Sequence, residues 1–99
     1  MARSSRLESG FQDKLIQSIK EMLPGSMVFK MDQHQGIPDL LILYKDKWAS
    51  LECKKFANAT RQPNQEYFVD RMNSMSFSRF VYPENKEEVL RELQQAFEL

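Results

Sequence analysis

The sequence of 99 residues contains a single cysteine, Cys53, so it can form no internal disulfide and no multi-thiolate zinc site. It also lacks any apolar run long enough to cross a bilayer. Apolar and charged residues make up 41% and 28% of the chain, the proportions of a water-soluble globular protein. Basic residues occur in Met1-Ala2-Arg3-Ser4-Ser5-Arg6, but the continuous apolar stretch of a signal peptide does not follow them. A cytoplasmic location is therefore expected. Neither charge sign is in excess, with 14 Lys and Arg against 14 Asp and Glu. That balance argues against a protein that coats nucleic acid by bulk attraction, which needs clustered cations. There is no internal repeat, linker or low-complexity segment, and a chain this short buries one modest core. One domain over residues 1–99 is expected.

The charges that are present are unevenly placed. Lys45, Lys47, Lys54, Lys55 and Arg61 outweigh Asp46 and Glu52 in the middle of the chain, whereas Glu84 to Glu98 is acidic. Apolar periodicity supplies the elements. Leu7, Phe11, Leu15, Ile19 and Leu23 recur every fourth residue and predict a helix from Ser5 to Leu23, ended by Pro24-Gly25. Ser26 to Met31 alternates like a strand. Pro38 to Tyr44 and Lys47 to Lys54 read as two strands around a turn at Lys45-Asp46, apolar on both faces as in a sheet covered on both sides. Pro63 suits the first turn of a second helix running to about Met75, with Tyr67, Phe68 and Met72 inward. The aromatic-rich segment from Phe77 to Tyr82 predicts a strand. A final helix follows Pro83, with Asn85 and Glu88 at capping-box spacing and Val89, Leu90, Leu93 and Phe97 as its buried stripe. The order is helix-strand-strand-strand-helix-strand-helix, an α/β fold with a central sheet flanked by helices.

Chemistry concentrates in Gly36-Ile37-Pro38-Asp39 and Leu51-Glu52-Cys53-Lys54. If Lys45 and Asp46 form a two-residue turn, Tyr44 pairs with Lys47, and counting outward sets Asp39 opposite Glu52. A three-residue loop would instead set Asp39 opposite Cys53. Opposed carboxylates on paired strands lie roughly 5 Å apart at Cβ and repel unless a cation or proton sits between them. A hard divalent cation such as Mg2+, which takes oxygen ligands and keeps several waters, meets that need. Lys54 returns to the face of Glu52 by strand alternation, where an ammonium can position an attacking water or offset transition-state charge. This is the chemistry of phosphodiester hydrolysis.

Pro38-Asp39 followed by Glu52-Cys53-Lys54 resembles the motif of the PD-(D/E)xK nuclease superfamily. The resemblance extends to the element order and implies a restriction-endonuclease-like core with a mixed central sheet. Gly36-Ile37-Pro38-Asp39-Leu40-Leu41, Leu51-Glu52-Cys53-Lys54 and Pro63-Asn64-Gln65 are most similar to the compact stand-alone VRR-NUC nucleases of phages. What the resemblance implies is metal ligation by Asp39, Glu52 and the Cys53 backbone carbonyl, with Lys54 as the catalytic lysine. Glu8 matches an acidic residue on the first helix, and Gln65 a glutamine on the helix after the motif. It also implies action in a bacterial or phage-infected cell.

Ordinary roles compete at several of these positions. Glu8 also completes a capping box with Ser5, and Gln65 also reads as a polar residue in an exposed first turn. Cys53 reads as a small buried hydrophobe, since no base for a thiol nucleophile is evident on its face. His34, in a polar loop close in sequence to Asp39, is a candidate for contact with nucleic acid, against the ordinary solvent exposure of a loop histidine. Lys55, Arg61, Arg71 and Arg79 are candidates to touch phosphate, though each alone is an ordinary surface cation. The expectation is an Mg2+-dependent DNA endonuclease (Mn2+ as the alternative ion), a homodimer acting on branched DNA such as a four-way junction. The alternatives are a sequence-specific duplex cutter of restriction or homing type, and a non-cleaving nucleic-acid-binding module on the same fold.

Overall fold

The computed structural model describes residues 2–31 and 35–98, of which residues 2–9 are described as helical backbone. Along the chain run α1 (Ala2–Met22), β1 (Met27–Lys30), β2 (Leu40–Tyr44), β3 (Lys47–Cys53), α2 (Pro63–Met75), β4 (Ser78–Val81) and α3 (Lys86–Glu98). A short 3-10 turn, Pro83–Asn85, leads into α3. The four strands lie in the order β1-β2-β3-β4. The first three are antiparallel neighbours, and β4 runs parallel to β3. Parallel neighbours need a crossover, which α2 supplies. No helix among the described residues is long and apolar enough to cross a membrane.

The β2–β3 hairpin sets the frame. Tyr44 pairs with Lys47 and Leu40 with Leu51, the register of a two-residue turn. Lys45 adopts a left-handed backbone, φ 58°, as such turns require. Alternation then gives the sheet two unlike faces. Leu40, Ile42, Ala49, Leu51, Cys53 and Val81 point into one cluster with Leu15, Ile19 and Leu23 of α1 and Val89, Leu90, Leu93 and Phe97 of α3. Tyr44 closes it by stacking on Phe97, ring centroids 6.0 Å apart. Burial of each large side chain there contributes about 1.5–3 kcal/mol, so this face carries most of the fold's stability.

The other face is covered only in part. α2 packs on β3 and β4, placing Met72 Sδ 3.7 Å from the Ser50 hydroxyl. Met27, Phe29 and Leu43, on β1 and β2, remain 54%, 42% and 36% exposed. The expectation of a sheet covered on both sides is thereby corrected. A single helix roughly 10 Å across spans about two strands at ~4.8 Å spacing, and α2 comes to rest on β3 and β4.

Three local expectations also change. In α2, Val69 is the buried residue and Tyr67 is 59% exposed, because the turn that aims Gln65 at the sheet puts residue 67 on the opposite side of a 3.6-residue helix. α1 begins at Ala2, so Ser5 lies within the helix and is not its N-cap. Asn85 does not cap α3: its Oδ1 accepts the Tyr82 N–H at 2.8 Å and its Nδ2 donates to the Phe80 carbonyl at 3.1 Å. The 3-10 turn started by Pro83 feeds straight into α3, so upstream carbonyls precede the helix where a cap would stand.

Candidate active site

Continuing the hairpin register one residue past Leu40 and Leu51 brings Asp39 opposite Glu52, on the face that carries α2. Asp39 is bonded to both neighbouring strands. Its carbonyl accepts the Met31 N–H at 2.6 Å, and its Oδ2 accepts the Cys53 N–H at 2.9 Å. The side chain thus occupies the position of a ladder acceptor beside Pro38, a residue with no N–H to offer.

Glu52 is 3% exposed. A buried carboxylate is costly unless hydrogen-bonded or paired, and α2 supplies the partner: Gln65 Nε2 donates to Glu52 Oε2 at 2.8 Å. Gln65 Oε1 accepts from Lys54 Nζ at 2.8 Å and from the Gln62 N–H at 2.9 Å. A lysine ammonium only donates, which fixes the amide with its oxygen toward Lys54 and its nitrogen toward Glu52. Lys54 Nζ also donates to the Thr60 carbonyl at 3.1 Å and lies 3.9 Å from Glu52 Oε2. The side chains of Lys54 and Glu52 are only 12% and 5% exposed, so this pair is shielded from the screening that weakens surface pairs. Gln65 thus satisfies an N–H at the start of α2 and also joins the Lys54 ammonium to the Glu52 carboxylate.

The loop before Asp39 is fastened to the same helix. Gly36 has φ +94°, and a Cβ there would meet Asn64 Nδ2 at 2.6 Å. Asn64 Nδ2 donates to the Gln35 carbonyl at 3.3 Å. Only glycine combines that backbone with that approach. Pro63-Asn64-Gln65 therefore holds both halves of the site, Asn64 the Asp39 loop and Gln65 the Glu52–Lys54 pair.

The remaining candidates divide. The Cys53 side chain is buried in the apolar cluster, as a small hydrophobe, while its N–H meets Asp39. The Arg61 guanidinium stacks 3.9 Å from the centroid of Phe80, which pairs with Glu52 on β4. Arg61 is thus one strand from the site. Lys55 follows Lys54 and lines the cavities of the next loop. Arg71 is exposed on α2, nearly two turns beyond Gln65, and is not brought to the site. Arg79 is held by Glu92 Oε1 at 3.0 Å and by Asn73 Oδ1. His34 and the side chain of Glu8 lie outside the described residues. The backbone start of α1 removes the capping-box explanation of Glu8. Sequence reading missed Thr60, whose contribution is a carbonyl that any residue could provide. It also missed the meeting of Gly36 with Asn64, for which a glycine two residues before a proline was the available signal.

The donor chemistry fits a hard cation. Asp39 and Glu52 offer carboxylate oxygens, and the Cys53 thiol faces away into the core. Among the described residues no three His, Cys, Asp or Glu side chains converge on one point, so those residues supply two carboxylates and backbone. Such a set suits Mg2+ or Mn2+, which keep waters and share substrate oxygens, rather than a closed Zn2+ site.

No protein-family model matches the sequence, and no curated protein does. A solved structure described as a VRR_NUC domain does match, with a TM-score of 0.70 and 19% identity over 86% of this chain and 95% of that one. The mixed four-stranded sheet flanked by helices is the fold of that VRR_NUC domain.

Proposed function

We propose that this chain is a divalent-metal-dependent DNA endonuclease of the PD-(D/E)xK superfamily, in its VRR-NUC branch, hydrolysing phosphodiester bonds in branched DNA. One observation carries the reading: Gln65 ties buried Glu52 to Lys54 beside Asp39, in a fold shared with a VRR_NUC domain. A structural role alone gives no reason to hold an ammonium and two carboxylates at one sheet end.

In this mechanism Asp39, Glu52 and the Cys53 backbone carbonyl would hold Mg2+ or Mn2+, with Glu8 the further ligand that the family resemblance implies. The ion's contribution, when bound, is to polarise a phosphoryl oxygen and lower the pKa of a water. Lys54, with two N–H groups engaged by Thr60 and Gln65, directs the third at the attacking water or a phosphate oxygen. Gln65 keeps that ammonium in place and holds one oxygen of Glu52. Lys55 and Arg61 contact flanking phosphates without reading sequence.

The proposed assembly is a homodimer, whose two centres would cut two strands. Supporting it is the uncovered apolar face of Met27, Phe29 and Leu43 beside edge strand β1. Edge pairing adds no support, because β1 is four residues long and carries Lys30, both features that guard an edge against pairing.

Incubation of supercoiled plasmid and of a synthetic four-way junction with Mg2+, Mn2+ or chelator tests the activity. Cutting that needs metal and favours the junction is expected. No cutting of either DNA with either metal would overturn the enzyme reading in favour of a binding module.

A further inference from the structure

The segment from Lys54 to Gln62 passes from β3 to α2 past two cavities that the proposed mechanism does not use. One, of about 330 Å3, is lined by Lys54, Lys55, Phe56, Asn58, Ala59 and Thr60. The other, of about 380 Å3, is lined by Phe11 of α1, Lys55, Phe56 and Pro83. Lys55 and Phe56 belong to both. Phe56 is 44% exposed, although the second cavity, walled by Phe11 and Pro83, lies at its side unfilled. An aromatic ring held part-open between apolar walls and two lysines, two residues from the candidate catalytic ammonium, calls for a flat apolar ligand that carries negative charge.

We infer that Phe56 is a stacking platform for an unpaired nucleobase of DNA flanking the phosphate at Lys54, the base entering the Phe11–Phe56–Pro83 cavity. This rests on the endonuclease reading and names what that site selects. The charges are complementary, because Lys54 and Lys55 line the cavities beside Phe56 and would meet the flanking phosphate, while the wall made by Phe11 and Pro83 is apolar. The size is also right: about 380 Å3 is near the low end of the ~300–1,000 Å3 of small-ligand pockets, room for one flat ring system. Stacking on an aromatic side chain is tolerant of base identity but requires the base to be out of its duplex partner's plane. Preference for branched, flapped or single-stranded DNA then follows from the chain itself, and not from the oligomer.

Full-length protein, Phe56→Ala and Phe56→Trp are compared in metal-free buffer for binding to a perfect duplex and to the same duplex with a single-stranded flap. 2-Aminopurine is placed at the first unpaired position. The parent chain is expected to favour the flap and to quench the probe. Phe56→Ala should lower the flap-to-duplex affinity ratio by on the order of tenfold or more and lose the quenching, while Phe56→Trp retains both. An unchanged ratio in Phe56→Ala, or equal losses on the two DNAs, overturns the inference. Metal-dependent cutting of plasmid, four-way junction and the flapped duplex by the parent chain is read in parallel. Phe56-dependent flap binding with none of the three DNAs cut upholds the platform and refutes the nuclease reading; cutting with a Phe56-independent ratio does the reverse.

Discussion

The two faces of β3 are equally buried and chemically opposite. Ala49, Leu51 and Cys53 are 0–3% exposed among apolar side chains, and Ser50 and Glu52 are 1% and 3% exposed on the other side. The apolar set gains free energy simply by leaving water. The polar set loses it unless each group finds a partner, at about 1–3 kcal/mol for an unsatisfied one. Ser50 and Ser78 satisfy each other at 2.8 Å, and Glu52 is met by Gln65. One strand therefore serves as a structural wall on one side and as the support of a site on the other. Substitutions should separate accordingly into losses of stability and losses of activity.

The sharpest separation is expected at Asp39 and Glu52. Asp39→Asn keeps an acceptor for the Cys53 N–H and Glu52→Gln keeps the volume, yet each should lower single-turnover cleavage by on the order of 10²–10³-fold. Thermal melting should move by only a few degrees. Parental rates in either variant would remove the proposed site. Across the strand, Leu51→Ala should cost about 2–5 kcal/mol of unfolding free energy, seen as a lower denaturant midpoint, while the folded fraction keeps its rate per molecule. A loss of rate in fully folded Leu51→Ala protein would break the division of labour between the faces.

Gln65→Ala probes the tie between Glu52 and Lys54, on the polar face alone, at smaller scale. Removing a residue that orients metal ligands typically costs about 10–100-fold in metal affinity or activity. Titration calorimetry with Mg2+ should show weaker binding and stopped reactions a slower step. An effect on melting alone would reduce Gln65 to a helix cap.

The smallest effect is expected at Asp46, in the turn beyond both faces. Its carboxyl is held below the ordinary range by the hydrogen bond from the Lys47 ammonium and by that charge. A carboxyl depressed in the folded state adds stability above its unfolded pKa and loses it as pH falls through the folded value. Asp46 is fully exposed, so solvent screens nearly all of this. Asp46→Asn should leave the melting temperature unchanged at neutral pH and slightly flatten its decline below pH ~4; a steep change would show that the turn is coupled to the core.

Much of this was legible in sequence because it is local. Strand alternation and the polar Lys45-Asp46 turn determined the Tyr44–Lys47 register, whose continuation sets Asp39 opposite Glu52, and brought Lys54 to the side of Glu52, and Pro63 marked the start of α2. Fourfold spacing in α1 and the stripe from Val89 to Phe97 likewise announced the buried face. These follow from backbone periods of 2 and 3.6, which need no knowledge of the partner. Tertiary structure decided the rest. Gln65 bridging Glu52 and Lys54, Asn64 against Gly36, and the Thr60 carbonyl on Lys54 all join segments through space. Whether Asn85 served the turn or the helix depended on a choice between two nearby sets of backbone groups. The exposure of Met27, Phe29 and Leu43 depended on where one helix comes to rest. Apolar composition reports what a side chain favours, but only packing determines which surfaces are close enough to cover it.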